Sequence, residues 1–168
     1  MSSAQFGNLI QAEFFTSTHR LSGRVHTGNK PLGDLLNDHS QSYLLVFDVY
    51  ISRLSEPGEI VAYAPTAFLT KDNLSFVIVS MRQARGPDQG RYASQQYKAL
   101  VTLPGVEVQG KFAGPYRFDI RTFTPATLDT YQVLFEAQAR LVSLPDVAFS
   151  GEAILVNRTH VESFCLSE

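Results

Sequence analysis

The chain has one cysteine, Cys165, so no disulfide can form within it. Cys165 sits in the apolar run Ser163-Phe164-Cys165-Leu166, which reads as a buried structural thiol; burial raises a thiol pKa and makes it a poor nucleophile. Charge is also scarce. Lys, Arg, Asp and Glu together make up 18% of the 168 residues, and the formal net charge of −2 exerts no overall pull toward nucleic acid or anionic lipid. No apolar run approaches the roughly 20 residues of a membrane span. Met1 to Gln11 has neither the basic start nor the apolar centre of a signal peptide, so the expectation is a cytoplasmic protein with no membrane partner. For the same reason the sequon spelled by Asn157-Arg158-Thr159 carries no weight. There is no Gly-x-Ser-x-Gly elbow, no phosphate-binding glycine loop and no His-Glu-x-x-His, and no cofactor is expected.

What is present points to β structure. Hydrophobic residues make up 44% of the chain, with twelve Phe and seven Tyr. Aromatic side chains suit a pleated, half-buried surface. The chain also repeats itself. Leu21-Ser22-Gly23-Arg24-Val25 matches Val108-Gln109-Gly110-Lys111-Phe112 at an offset of 87. Tyr43, Phe47 and Asp48 match Tyr131, Phe135 and Glu136 at 88; Arg53-Leu54 matches Arg140-Leu141 at 87; and Ala67-Phe68-Leu69 matches Ala153-Ile154-Leu155 at 86. Such self-similarity decides architecture before any local reading does.

Within the first copy a strand is expected from Phe14 to Thr27, after a loose or partly helical lead-in. Leu32, Leu35 and Leu36 have helical spacing after Pro31, and predict a short helical turn. The longest strand, Tyr43 to Leu54, is expected to bury Tyr43, Leu45, Phe47, Val49 and Ile51 on one face. Glu59–Thr70 and Leu74–Ser80 are expected to form a closing hairpin around Lys71-Asp72-Asn73. The second copy repeats the plan, with Asn157-Arg158-Thr159 at its hairpin turn. Residues 12–80 and 98–167 thus read as two β-repeats, with 82–96 as an exposed linker. The fold class is all-β: two tandem small SH3- or Sm-like barrels, or alternatively one merged barrel or sandwich of eight to ten strands.

Gly23-Arg24-Val25, then Leu32-Gly33-Asp34-Leu35-Leu36-Asn37, then Phe47-Asp48-Val49, then a closing hairpin resembles a bacterial family of small Sm-like β-domains of unknown function. In that family the stretch after the first strand reads approximately Arg-Leu-Ser-Asp-Phe-Leu-Asn, and the hairpin often carries Val-Asn-Lys or Val-Asn-Arg. The first copy has the former in Leu32–Asn37; the second has the latter in Val156-Asn157-Arg158. Neither copy has both. The resemblance implies a fold and supplies no activity.

Candidate binding residues are basic. Arg82, Arg85 and Arg91 stand against one acid, Asp88, in the linker, and Arg24 and Lys111 lie on the polar faces of equivalent strands. His19, His26 and His39 are too dispersed along the chain to suggest a metal site. The expected function is a non-catalytic binding or assembly module whose partner is a protein or a second copy of the chain. The alternatives are an RNA- or nucleotide-binding Sm-like protein that uses the basic linker, and an enzyme with a pocket between the repeats. Nucleic acid is the less favoured partner.

Overall fold

The computed structural model describes residues 9–84, 95–114, 119–122 and 129–167. It is all-β. The strands are β1 (Leu9–Phe15), β2 (His19–His26), β3 (Tyr43–Arg53), β4 (Ile60–Thr70), β5 (Phe76–Val79), β6 (Gln95–Leu103), β7 (Val106–Gly114), β8 (Tyr131–Leu141), β9 (Ala148–Asn157) and β10 (Ser163–Ser167). Among the described residues, two short α-helices accompany them, α1 (Leu32–Asn37) and α2 (Met81–Ala84).

All ten strands belong to one antiparallel sheet in the order β10-β6-β7-β8-β9-β5-β1-β2-β3-β4. The ten strands thus form one open sheet, neither two separately closed barrels nor one merged barrel. The reason lies in the ordering. The second half runs β10-β6-β7-β8-β9 and the first runs β5-β1-β2-β3-β4, so the last strand of one unit meets the first of the other. Strands β5 and β9 pair there, with Phe76, Val77, Ile78 and Val79 opposite Val156, Leu155, Ile154 and Ala153. That junction satisfies backbone groups that a lone five-stranded unit would leave on two open edges.

The single strand expected from Phe14 to Thr27 is two strands, and the first begins five residues earlier, at Leu9. A hairpin separates them at Thr16-Ser17-Thr18, which has none of the Gly, Pro or Asn that usually mark a turn. The Thr16 hydroxyl closes it instead, accepting from the amides of Thr18 (3.3 Å) and His19 (3.0 Å).

Each half contains a bend at the same place. Among the described residues, Asp48 and Glu136 are the non-glycine residues with positive φ, at 52° and 47°, and each marks a bulge. Across from them the ladder slips at Gly23 and at Gly110. The bulge resets the two-residue alternation. As a result Leu44, Val46 and Val49 are buried, and Tyr43 and Leu45 are exposed, the reverse of the face expected before the bend. In β8 the same reset sends Tyr131 and Phe135 to one core, and Leu134, Ala137, Ala139 and Leu141 to the other.

There are therefore two cores, on opposite faces of the sheet at the junction. Core 1 is built from the first half and completed by Tyr131, Phe135, Ala153 and Leu155 of the second. Core 2 is built from the second half and completed by Phe15, Leu54 and Phe76 of the first. Each half needs the other to finish its interior.

Ladder geometry also corrects the repeat alignment. Phe47 pairs with Thr66 and Phe135 with Ala153, so Thr66, not Ala67, is the counterpart of Ala153. Leu54 N donates to Thr18 O and Val142 N to Gly105 O, so Leu54 corresponds to Val142, not Leu141. A one-residue slip moves every side chain to the other face.

A candidate edge-strand interface

Strand β4 is the last strand of the sheet on one side. It is eleven residues long, carries no charged side chain, and is exposed along nearly all its length. Exposed Ile60, Tyr63 and Phe68 lie along it, and exposed Tyr43, Leu45 and Tyr50 lie on its neighbour β3. Sheet edges in soluble proteins are ordinarily blunted by charge, by shortness or by a covering segment, because an open ladder templates pairing. Here the one blunting residue is Pro65, which an edge strand tolerates because it has no amide hydrogen to leave unpaired. Tyr43 and Phe68 meet edge to face with ring centroids 5.0 Å apart. Beside them lies a depression of about 330 Å³ lined in part by Leu35, Asp38, Phe47 and Lys71.

Lys71 is the least expected group in this region. It is buried, and desolvation holds its amine below the ordinary lysine value. Its Nζ donates to the carbonyls of Leu35 (2.5 Å) and Asp38 (3.0 Å) at the end of α1, where Leu35 O also accepts from Asp38 N (3.3 Å). The amine is thus committed to closing a helix end. It is not poised over the depression as a base.

Among the described residues, the basic side chains expected to bind a ligand do not converge. Arg24 is ion-paired with Asp48, which also accepts from the Tyr63 hydroxyl at 2.9 Å. The hydrogen bonds from Arg24 and then Tyr63 hold the Asp48 carboxyl below its usual value. Lys111 Nζ lies 2.7 Å from Glu136 Oε2 at the equivalent bulge of the other half. Each cation thus faces the acid of its own bulge. Arg82 is exposed on α2, while Arg85 and Arg91 lie outside the described residues. Of the histidines, His19 and His26 stand at opposite ends of β2. Cys165 is exposed, contrary to expectation, because β10 is the terminal strand on the other side of the sheet.

Each of the two motifs behind the family resemblance reaches across to the other half. Asn37, at the end of α1, brackets the backbone of Tyr131: its Oδ1 accepts from Tyr131 N (2.8 Å) and its Nδ2 donates to Tyr131 O (3.3 Å). Asn157 is fully buried. Its Oδ1 accepts from Thr159 N (3.0 Å) and Thr159 Oγ1 (2.8 Å), and its Nδ2 donates to Leu74 O (2.8 Å) in the other half. The Tyr131 hydroxyl donates to Lys71 O at 2.5 Å, and burial raises its pKa. One Asn from each motif therefore fastens the two halves together.

Sequence reasoning missed the edge. The available signal was the absence of charge from residues 60 to 70 together with apolar residues on both faces of β3. No protein-family model, no curated protein and no solved structure matches this chain.

Proposed function

We propose that this protein is a non-catalytic assembly module that engages a protein partner through the β4 edge and the apolar surface beside it. The observation that carries this reading is an eleven-residue, uncharged, exposed edge strand flanked by exposed aromatic side chains. Such an edge offers main-chain hydrogen bonds for affinity and side-chain pockets for selectivity. The commitment of Lys71 to backbone carbonyls counts against catalysis by this amine in the depression beside β4. The pairing of Arg24 and Lys111 with acids counts against those two cations as a nucleic-acid surface.

The test uses the tagged protein in extract of the cells it comes from. Wild type is expected to migrate in an assembly larger than one 18.6 kDa chain, and Phe68→Glu to lose that assembly with an unchanged melting temperature. Migration of the wild type as a single chain at every extract concentration would overturn the proposal. So would salt-sensitive, micromolar binding of single-stranded RNA by the purified protein that is lost when Arg82, Arg85 and Arg91 are changed to Ser.

A further inference from the structure

Several positions are buried in one half and exposed in the other, and the difference follows the sheet edges. Tyr131 is 2% exposed, whereas its counterpart Tyr43 is 46% exposed. Leu155 is 0% exposed, whereas its counterpart Phe68 is 70% exposed. Phe135 is buried, and its counterpart Phe47 only half-buried. Tyr131, Phe135 and Leu155 are the residues the second half inserts into core 1. The free end of the sheet therefore presents the same set of donor side chains with nothing described in front of them.

The opposite end shows the receiving side. Leu74, Val77 and Val79 are buried around the inserted residues. By the ladder, Val77 opposes Phe14 and Phe164 opposes Val101, which places Val161, Phe164 and Leu166 at the corresponding positions of the second half; all three are half-buried. Leu54 is 9% exposed in core 2, but its counterpart Val142 is 56% exposed. Tyr50 serves as the control. It and its counterpart Gln138 are both exposed, as expected for positions outside the junction.

From this complementarity we propose that the protein self-assembles head to tail. The β4 edge of one molecule adds to the β10 edge of the next and repeats the internal β9–β5 junction. The occupant of the exposed edge is thus a second copy of this chain, and the proposal rests on β4 being an interface at all. The register follows from the internal one. Thr66, Ala67, Phe68 and Leu69 of one molecule lie opposite Leu166, Cys165, Phe164 and Ser163 of the next. Pro65 falls one residue outside the paired segment, as Glu152 does at the internal junction. Tyr43 and Phe68 enter core 2 of the neighbour, and Cys165 becomes covered opposite Ala67. The interface is heterologous, so one contact geometry is used repeatedly and leaves the same two surfaces at the ends until a ring closes. It is also weaker than its internal model. Thr70 stands where the buried Asn157 fastens the internal junction, so strand pairing and apolar burial act without that polar clasp.

The experiment uses the full chain. By sedimentation, the purified wild type is expected to show an average mass that rises with concentration above that of one chain. Phe68→Glu and Tyr43→Glu should return it to a single chain with unchanged melting temperature, and Tyr50→Gln should not. Ala67→Cys adds a position test. With Cys165 the sole native thiol, diamide oxidation should give a ladder of disulfide-linked chains from Ala67→Cys, and at most a trace from wild type or Thr66→Cys. Directly opposed Cβ atoms in an antiparallel pair lie about 4.5–5.5 Å apart, close to what a disulfide spans. Three results would overturn the proposal: a wild type that stays a single chain at the highest concentration reached, a closed dimer that Phe68→Glu leaves intact, or equal cross-linking of Ala67→Cys and Thr66→Cys. If the purified protein stays a single chain while the larger assembly in extract persists and is lost in Phe68→Glu, head-to-tail assembly fails and the β4 interface with another protein stands.

Discussion

Phe14 and Phe15 are consecutive residues of β1, both fully buried, yet they belong to different cores. Phe14 packs in core 1 with Val77 and Leu155, which lie across from it in the ladder. Phe15 stacks on Phe76 with ring centroids 4.2 Å apart and packs in core 2. Neighbouring side chains in a strand point to opposite faces, and here both faces are interior. Replacing either with Ala is expected to cost about 3–5 kcal/mol. Because β1 serves both cores, each variant should unfold in urea as one transition followed identically by near-ultraviolet and far-ultraviolet signals. Two separate transitions in either variant would show that the cores unfold independently.

Gly23 and Gly110 have no room for a side chain. A Cβ on Gly23 would lie 2.5 Å from Val46 Cγ1 and 3.2 Å from Phe47 O; one on Gly110 would lie 2.8 Å from Ala137 Cβ and 3.0 Å from Phe135 O. The bulges at Asp48 and Glu136 bring the bent strands this close. Gly→Ala at either position should destabilise by about 1–3 kcal/mol, since the overlap is with core groups and backbone rather than a mobile chain end. Denaturant midpoints check this; a change under about 0.5 kcal/mol, the usual range of surface substitutions, would mean the strands separate more readily than the packing implies.

Asn157→Ala removes the polar fastening of the internal junction. It leaves the Leu74 carbonyl and the Thr159 amide without a partner they have in the native protein. The expected loss is about 1–3 kcal/mol, set by the buried Leu74 carbonyl, since Thr159 is exposed and its amide can turn to water. Amide exchange should speed up at β5 and β9 before it does at β2 or β7. Uniform acceleration across the sheet would count against a local role for this side chain.

Asp48 supplies a pH test. Its carboxyl pKa in the folded protein is lowered, chiefly by the hydrogen bond from Arg24. A group whose pKa falls on folding contributes stability above its unfolded value, here 3.8, and loses that contribution as pH drops through the folded value. Stability should therefore fall with acidification below about pH 4 more steeply in wild type than in Asp48→Asn. Asn also tolerates positive φ, so the variant keeps the bulge while losing the charge. Equal acid limbs in the two proteins would show that the ion pair is too exposed to contribute.

Much of the architecture was legible in the chain. Twelve Phe and seven Tyr, alternating segments and matched glycines at 23 and 110 define an all-β protein with a repeated plan. Even the two family-like motifs were visible as fragments, one in each copy. What could not be read was the side of the sheet each residue takes after a bulge. Asp48 and Glu136 occupy left-handed geometry because the bend in the paired strands demands it, and one such residue reverses every later assignment. The interface was hidden for a related reason. Tyr43 and Tyr131 are the same residue type at matched positions, and nothing local separates them. Only the order of strands decides that a second half covers one and leaves the other on an open edge, because burial depends on what the whole sheet places in front of a side chain.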